Sequence, residues 1–315
     1  MNPDYQKHFP VMLPEVLSAL APKDGGIYVD ATFGNGGYSE AILRQADCKV
    51  IALDRDPDVL PRSQELKNKY GNRFEFRAGQ FGDFADLITE NIDGAVFDIG
   101  VSSMQLDEGE RGFSFSKEAS LDMRMSKTGT TAADLVNNCT ESELADIIYK
   151  YGEEKKSRQI AKKIVEYRKN KPINTTKELA DIISAVLHRT PKGIHPATRT
   201  FQALRIVVND ELGELQRGLC GATRRLRPEG HLVVVDFHSL EDRIVKDYLK
   251  NNSSKTRHIS KYAKPQDLED NMIFGYCSKV ILPSEAEIKV NPRSRSAKLR
   301  YAIKKNNKGN VNECH

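Results

Sequence analysis

A glycine-rich turn between an apolar strand and a helix constrains this chain more than any other feature. The segment reads Ile27-Tyr-Val-Asp-Ala-Thr-Phe-Gly-Asn-Gly-Gly-Tyr-Ser39, and a second apolar run, Lys49–Asp54, also ends in an acid. Glycines tolerate positive φ and a close approach of the backbone to a ligand, and the helix behind them offers unpaired N–H groups to an anion. The pattern predicts the first half of a βαβ unit, with Asp54 placed to accept the two hydroxyls of a ribose.

The spacing of the glycines indicates which nucleoside-containing cofactor fits the turn. A dinucleotide fold requires G-x-G-x-x-G, with the third glycine in the helix. This turn has Gly34, Gly36 and Gly37 and no glycine at the third place. Asp30 precedes the turn, and its carboxylate suits an ammonium group better than a pyrophosphate. The turn therefore favours S-adenosylmethionine over NAD, while a glycine-rich turn without any ligand remains an alternative at this point.

The composition is that of a soluble protein large enough for two domains. Of the 315 residues, 39% are hydrophobic and 29% are charged, and we find no apolar run of membrane-spanning length and no signal-peptide segment. The five cysteines form no C-x-x-C pair and the seven histidines no H-E-x-x-H motif. We therefore expect reduced thiols, a cytoplasmic location, no disulfide framework and no metal site.

Apolar runs alternate with helical segments through the first hundred residues, which is typical of a doubly wound parallel sheet. The predicted strands are Ile27–Asp30, Val50–Asp54, Phe74–Arg77 and Gly94–Ile99. The predicted helices between them are Ser39–Arg44, Pro57–Tyr70 and Phe84–Asn91.

The pattern changes after the fourth strand. Residues 131–226 show only helical periodicity, including one long amphipathic helix from Phe201 to Leu219. Strands return at His231–Phe237, Lys279–Leu282 and Lys298–Ile303. The sequence thus predicts an α/β, Rossmann-like, doubly wound and mostly parallel seven-stranded sheet with an all-helical domain inserted after strand four. The expected domains are residues 1–106 with 206–315, and an insertion of residues 107–205 that emerges where ligands bind and covers a substrate.

Two segments at predicted strand ends carry candidate catalytic residues. Asp98 closes the fourth strand and could accept hydrogen bonds from a nucleophilic amine, although a polar residue that merely ends a strand is the alternative. His238 follows the strand at 231–237 and could orient a base or relay a proton. A structural histidine bonded to a loop carbonyl explains it equally well. Ser239 with Asp242 resembles a helix N-cap with a variant capping box.

Arginines and basic runs indicate contacts with nucleic acid. Arg111 and Arg124 lie among aromatic and methionine residues after the fourth strand, where they suit either stacking on a flipped-out base or a hydrophobic plug between two domains. Residues 291–312 hold seven Lys or Arg and no acid, including Arg293, Arg295, Lys298 and Arg300. Phosphate binding requires such a local excess, as at 251–266 and 217–227. A solvated face or a disordered tail is the alternative.

Taken together, these segments resemble the RsmH (MraW) family of methyltransferases. The matching stretches follow the family's order from residue 8 to residue 300. The two most specific are Phe237-His-Ser-Leu-Glu-Asp-Arg243 and Asn291-Pro-Arg-Ser-Arg-Ser-Ala-Lys-Leu-Arg300. Others include the glycine-rich turn, His8-Phe-Pro-Val-Met-Leu-Pro-Glu15, Phe97-Asp-Ile-Gly-Val-Ser-Ser103 and Phe201-Gln-Ala-Leu-Arg-Ile206.

The resemblance implies that the chain transfers a methyl group from S-adenosylmethionine to N4 of a cytidine in the decoding centre (P-site region) of 16S rRNA. The products are N4-methylcytidine and S-adenosylhomocysteine, and the implied partner is 16S rRNA within the small ribosomal subunit, with no metal and no membrane. The family's cofactor contacts correspond here to Gly36, Gly37, Tyr38, Asp54, Phe81, Asp98 and Gln105.

Two positions depart from the family's usual turn. Tyr38 stands where histidine is common, and Asn35 stands where arginine is usual. A backbone contact at either position would tolerate the change, whereas a required side-chain contact would have to be replaced. Two competing functions are an NAD-dependent oxidoreductase and a non-catalytic rRNA-binding assembly factor. The glycine spacing argues against the first, and acids at three adjacent strand ends favour a working cofactor site over the second.

Overall fold

The computed structural model describes residues 10–101, 111–114, 118–187, 195–253 and 272–306. Gln105, the boundary expected at 106/107 and the basic residues 255–264 lie outside these ranges. The chain folds into two compact units, one formed by residues 1–100 with 212–315 and the other by residues 101–211.

The first unit is built on a seven-stranded mixed sheet with the order β3-β2-β1-β4-β5-β7-β6. Strands β1 to β5 pair in parallel, whereas β7 runs antiparallel to both β5 and β6. The bounds are β1 Ile27–Asp30, β2 Lys49–Asp54, β3 Phe74–Ala78, β4 Ile92–Asp98, β5 Leu226–Asp236, β6 Phe274–Cys277 and β7 Lys298–Lys304. This sheet confirms the predicted α/β, Rossmann-like class.

Helices follow the strands of the first unit as the βα alternation predicts. Those before the second unit are α1 Leu13–Leu20, α2 Gly37–Gln45, α3 Leu60–Tyr70 and α4 Phe84–Leu87. In the second unit the chain forms α5 Ala132–Asn138, α6 Glu141–Gly152, α7 Ser157–Arg168, α8 Thr176–Val186 and α9 Thr198–Asn209. The chain then continues with α10 Glu211–Arg225, α11 Ser239–Asn251 and α12 Glu285–Val290.

The two units have separate hydrophobic cores. In the first, alternate side chains of β1, β2, β4 and β5 pack with α10 and α11, and fully buried members include Val29, Phe97, Leu219, Val234 and Val245. In the second, the apolar faces of α5 to α9 pack together, including Val136, Leu144, Ile160, Leu179 and Leu204. Central strands buried on both faces read as continuous apolar runs, which explains why β1 and β2 were predicted to within one residue of their bounds.

The helices of the second unit begin at clear sequence signals. Thr131, Thr140 and Thr175 each cap a helix, and each accepts from the backbone of an acid three residues later whose carboxylate bonds back to the cap. Such capping boxes satisfy two N–H groups that the helix leaves unpaired. Of the four N-termini of α5 to α8, only that of α7 lacks a side-chain cap.

The prediction of one long helix from Phe201 to Leu219 was wrong. The chain leaves the helical conformation at Asp210, whose φ is 48°, so that α9 ends and α10 begins. The two helices bury their apolar faces in different cores, with Phe201 in one and Leu219 in the other. The apolar residues of both helices recur every three or four positions, and periodicity alone therefore could not reveal the break between the helices. The second unit begins at residue 101 and ends at 211, compared with the expected 107 and 205.

Two predicted strands also needed correction. The strand expected at Lys279–Leu282 is instead β6, Phe274–Cys277, because Phe274 is fully buried in the core whereas Leu282 is 62% exposed. The strand expected to begin at His231 begins at Leu226, and its pairing with β4 is irregular between these two residues. None of the helices that the structure describes is long and apolar enough to span a membrane.

Candidate active site

Acidic side chains stand at the carboxyl ends of four neighbouring strands. Asp30 ends β1, Asp54 ends β2, Asp98 ends β4 and Asp236 ends β5. These strands are adjacent and parallel in the order β2-β1-β4-β5, so the four acids share one edge of the sheet. In open α/β sheets this edge is where ligands bind.

Asp30 is completely buried and bonds to the glycine-rich turn. Its Oδ2 accepts from the backbone N–H of Ser39 at 3.1 Å and from the Ser39 hydroxyl at 2.7 Å. Its Oδ1 accepts from the N–H of Thr32 at 3.3 Å. Burial raises the pKa of Asp30 to about 6, and the bonds from Ser39 and Thr32 oppose that rise. The carboxyl thus joins the end of β1 to the first turn of α2.

Asp54 holds the opposite side of the same turn. Its Oδ2 accepts from the N–H of Gly34 at 2.8 Å and its Oδ1 from the N–H of Asp56 at 2.8 Å. Burial raises the pKa of Asp54, and these two bonds counter it. Each carboxylate oxygen has a second lone pair, so the half-buried side chain can still accept from hydroxyl groups.

The turn requires glycine at Gly36 for two reasons. Its φ is 71°, in the left-handed region, and a Cβ there would lie 2.7 Å from the Phe33 ring and 2.9 Å from Leu66. Gly37, the first residue of α2, leaves no space either, because a Cβ would lie 2.3 Å from Pro10. The glycines of the turn are therefore packed closely against neighbouring side chains. The backbone N–H groups at the end of the turn belong to the N-terminus of α2.

Tyr38 connects the turn to Asp98. Its side chain is buried, and its hydroxyl donates to the carbonyl of Val11. The same phenol lies beside the Asp98 carboxyl, where it partly opposes the rise in pKa that burial causes. Burial is the main cause of a raised pKa at Tyr38, which therefore remains a neutral donor. The Tyr38 side chain is thus part of the buried structure beside Asp98.

Asp98 has a buried carboxylate oxygen, Oδ1, without a hydrogen-bond partner. Its backbone N–H donates to the Thr32 hydroxyl at 2.7 Å, which fixes the end of β4. Burial raises the pKa of Asp98 to about 8, and the nearby charges of Asp30 and Glu241 raise it further. A buried polar atom without a partner is costly unless a ligand or a proton satisfies it. Oδ1 of Asp98 is therefore one of the acceptors at this end of the sheet that a ligand could satisfy.

Asp236 and Glu241 were not predicted as site residues. Asp236 is completely buried, and neither of its carboxylate oxygens has a hydrogen-bond partner. Burial and the charges of Glu241 and Asp242 raise its pKa to about 8. The sequence contained the signal, because Asp236 follows an apolar strand in the same way as Asp30 and Asp98.

His238 is the N-cap of α11, in place of the predicted Ser239. Its Nδ1 accepts from the backbone N–H of Glu241, while Glu241 Oε2 accepts from the N–H groups of Phe237 and His238 at 3.0 and 3.2 Å. His238 Nε2 lies 3.0 Å from Glu241 Oε1. The buried Glu241 completes the capping box, because Asp242 is occupied by cations on β7.

Phe81 begins a short 3-10 helix after β3, and it follows two residues after Gly79, whose N–H donates to the Asp54 carbonyl. Its half-buried ring packs edge-on against Phe97, with the ring centroids 5.8 Å apart. This contact places an aromatic face beyond the end of β3, in the same unit as the four acids.

The predicted RNA-binding residues fall into different environments. Lys298 and Arg300 both pair with Asp242, at 2.9 and 2.8 Å. Arg293 and Arg295 are exposed in a 3-10 helix, Pro292–Ser296. The first two residues therefore connect β7 to α11, and RNA binding by these four residues stays a prediction.

In the second unit, Arg111 and Arg124 also bond internally. Arg111 donates to the carbonyls of Arg124 and Met125 at 3.0 and 2.8 Å, and its guanidinium lies over the ring of Phe113. Arg124 pairs with Asp122 at 2.7 Å. Both arginines thus bond within the second unit, and their contact with RNA stays a prediction.

The fold and the site define a class: an α/β, Rossmann-like protein with a glycine-rich turn and acids along the carboxyl edge of its sheet. Comparison with known proteins gives the family. The sequence model of the MraW methylase family matches residues 5–305, and the chain belongs to that family.

Relatives match over nearly the whole chain. The ribosomal RNA small subunit methyltransferase H of Paramagnetospirillum magneticum is 52% identical over 305 residues, which cover 95% of this chain and 96% of that protein. The enzyme of the same name from Rickettsia akari is 53% identical, with 95% and 99% covered. A solved rRNA methylase from Streptococcus thermophilus is 13% identical with a TM-score of 0.37, over 93% of this chain and 92% of that one.

Membership of a methylase family supports S-adenosylmethionine as the cofactor, as the turn predicted. The residues present fit this group. The partnerless Oδ1 of Asp98 and the remaining lone pairs of Asp54 offer acceptors to hydroxyl and ammonium donors. The N-terminus of α2 offers donors to a carboxylate.

Proposed function

We propose that this protein transfers a methyl group from S-adenosylmethionine to the exocyclic N4 amine of a cytidine in the decoding centre of 16S rRNA. The small-subunit rRNA substrate is supported by the names of relatives that are 52–53% identical. We further propose that the substrate is 16S rRNA within the small ribosomal subunit, in the cytoplasm. The observation that best supports a binding site for an amine is the buried Oδ1 of Asp98, which has no hydrogen-bond partner at the end of β4.

In this proposal Gly36, Gly37, Tyr38, Asp54 and Phe81 hold the cofactor, and Gln105 contributes from outside the described residues. Asp54 accepts the ribose hydroxyls with the lone pairs that Gly34 and Asp56 leave unused. Asp30 holds the turn in position, since its oxygens already accept hydrogen bonds from Thr32 and Ser39. When bound, S-adenosylmethionine supplies an electrophilic methyl group on sulfur.

Asp98 acts on the acceptor. The lone pair of a cytosine amine is delocalised into the ring, so the nitrogen must become tetrahedral and lie in line with the methyl group. A hydrogen bond from the amine to Asp98 Oδ1 favours that geometry. The methylated nitrogen is then a strong acid and loses a proton without a strong base. Tyr38 keeps the carboxyl oriented because its buried phenol lies beside it.

Residues 107–205 are proposed to recognise the RNA substrate. They form most of a unit with its own hydrophobic core, so they can keep a fold of their own, which supports a separate binding role. Replacing roughly residues 107–200 by a short linker should preserve cofactor affinity in a folded protein and abolish methyl transfer to RNA.

The decisive experiment compares methyl incorporation into free 16S rRNA, assembled small subunits and a transcript in which the target cytidine is replaced by uridine. N4-methylcytidine at one position, lost in the uridine transcript, is the expected result. Incorporation at another base or nucleotide contradicts the proposed specificity. Tight RNA binding with no affinity for S-adenosylmethionine would indicate a non-catalytic assembly factor, and preference for NAD an oxidoreductase.

A further inference from the structure

A group of exposed cations lies on and beside α7 in the second unit. We call it the α7 cationic face, and its members are Lys155, Lys156, Arg158, Lys162, Lys163 and Lys169. The only acid between residues 155 and 171 is Glu166. Residues 155–171 hold eight Lys or Arg in all, an excess comparable with that of residues 291–306, and this segment was not singled out from the sequence.

Helix geometry places these cations opposite the core. Ile160, Ala161 and Ile164 of α7 are fully buried. Arg158 and Lys162 are four residues apart and therefore lie on one side of the helix, and Lys169 follows that side at its C-terminal end. At a rise of about 1.5 Å per residue, the row from Arg158 to Lys169 is about 16 Å long.

These cations form few close ion pairs with the described residues of the protein. Lys162 and Lys163 lie 4.0 and 3.6 Å from Glu166, at the outer limit of an ion pair. Among the described residues, Lys155, Lys156, Arg158 and Lys169 form no ion pair. By contrast, Arg168 of the same helix is partly buried and donates to the carbonyls of Val136 and Cys139 at 2.6 Å.

The start of α7 adds to the positive potential. Thr140 and Thr175, which cap α6 and α8, each belong to a capping box with an acid in the first turn. At α7 the N-cap is Lys156, without a side-chain cap, and the first turn contains no acid. A helix N-terminus carries a partial positive charge, which here is reinforced and not neutralised by its neighbours.

Four of the residues predicted to contact RNA are less available. Lys298 and Arg300 pair with Asp242, and Arg111 and Arg124 bond within the second unit. The cations on α7 that remain exposed and unpaired are those that phosphate oxygens can reach without breaking a protein contact.

We propose that the α7 cationic face binds the phosphate backbone of the rRNA substrate. The proposal rests on the proposed function and assigns the binding role of the second unit to one surface. Contacts to phosphates fix the position of an RNA without reading its bases. The surface therefore sets affinity for the substrate, whereas selection of the cytidine belongs to the site at the sheet edge.

The test uses the full-length protein with two substitutions, Arg158→Gln and Lys169→Gln. The matched control carries Lys171→Gln and Lys177→Gln, which remove the same charge from exposed lysines that already pair with Glu178 and Asp181. Binding of a 16S rRNA fragment is measured against salt concentration, together with cofactor affinity and the melting temperature.

We expect the Arg158/Lys169 variant to bind RNA about tenfold more weakly at ~0.1 M salt and to lower the salt slope by between one and two. Its cofactor affinity and melting temperature should match the wild type, and the control should keep the wild-type slope. Equal slopes in the two variants would overturn the proposal, whether both fall or neither does. The proposal would also be overturned if the Arg158/Lys169 variant bound RNA as tightly as the wild type but bound an acidic polypeptide more weakly.

The wild-type protein separates this proposal from the proposed function. If the wild type methylates rRNA and the Arg158/Lys169 variant binds RNA normally, the cationic-face proposal fails while the proposed function stands. If the wild type neither binds nor methylates rRNA, the proposed function fails and this inference fails with it.

Discussion

The carboxyl ends of β1 and β2 differ from those of β4 and β5 in how their acids are satisfied. Both oxygens of Asp30 and both of Asp54 accept hydrogen bonds, chiefly from backbone N–H groups of the glycine-rich turn. At the ends of β4 and β5, Oδ1 of Asp98 and both oxygens of Asp236 are buried without partners. Each carboxylate oxygen of the first pair thus has a partner within the protein, whereas three of the four oxygens of the second pair have none.

The difference indicates a division of labour along one sheet edge. Bonded carboxylates hold the turn in the shape that a cofactor requires before it arrives, which reduces the ordering cost of binding. A partnerless buried carboxyl has a raised pKa and gains most when a donor approaches. In our proposal the β1–β2 side is a preformed cofactor site and the β4 end faces the group to be methylated.

The strongest test of this comparison is Asp98→Ala. We expect methyl transfer at saturating cofactor to fall at least a hundredfold, and cofactor affinity to fall by a smaller factor, since the variant removes the acceptor for the amine and leaves the turn intact. Single-turnover methylation and calorimetric titration measure the two quantities. Because the pKa of Asp98 is about 8, the wild-type rate should also rise with pH towards 8 if the carboxylate is the better acceptor. Transfer at the wild-type rate would remove Asp98 from the chemistry.

Asp54→Ala should have the next largest effect. A charged acceptor that binds hydroxyls contributes about 1.5–3 kcal/mol, so S-adenosylmethionine should bind at least tenfold more weakly. Asp54→Asn is the control, because its amide oxygen can still accept from the N–H of Gly34, and it should lose less affinity. Unchanged affinity in a folded Asp54→Ala protein would place the ribose elsewhere.

Asp236 provides a test through pH. Its pKa is about 8 when folded, compared with 3.8 for an ordinary aspartate. Between these values the folded state binds more protons than the unfolded state, so the free energy of unfolding falls as pH rises. Asp236→Asn should remove up to about 1.4 kcal/mol per pH unit of this decline. Urea unfolding at pH 5, 6 and 7 measures the slope, and parallel profiles for variant and wild type would show that Asp236 does not titrate in this range.

The smallest expected effect concerns His238 as a helix cap. His238→Ala removes the acceptor for the N–H of Glu241 and should cost about 1 kcal/mol in the free energy of unfolding. His238→Asn should restore the stability, since Asn is a good N-cap, and should keep the transfer rate. A large loss of rate in the stable Asn variant would instead support the proton relay suggested by the sequence.

Much of this site followed from sequence because its signals are local. The strand Ile27–Asp30 has the bounds that the apolar run predicted. Asp54 and Asp98 were correctly placed at strand ends, because parallel strands bring their carboxyl ends to one edge. Positive φ at Gly36 was expected from the glycine itself.

The sequence by itself determined the α/β class, the cofactor turn and the row of acids, since each depends on residues close together in the chain. Only the tertiary structure decided how each charge is used. Lys298 lies opposite Asp236 in the β5–β7 register but pairs with Asp242 on α11, and the carboxyl of Asp236 was left without a hydrogen-bond partner. Whether a charge is paired or available depends on which distant helix packs over it, and periodicity along the chain carries no information about that packing.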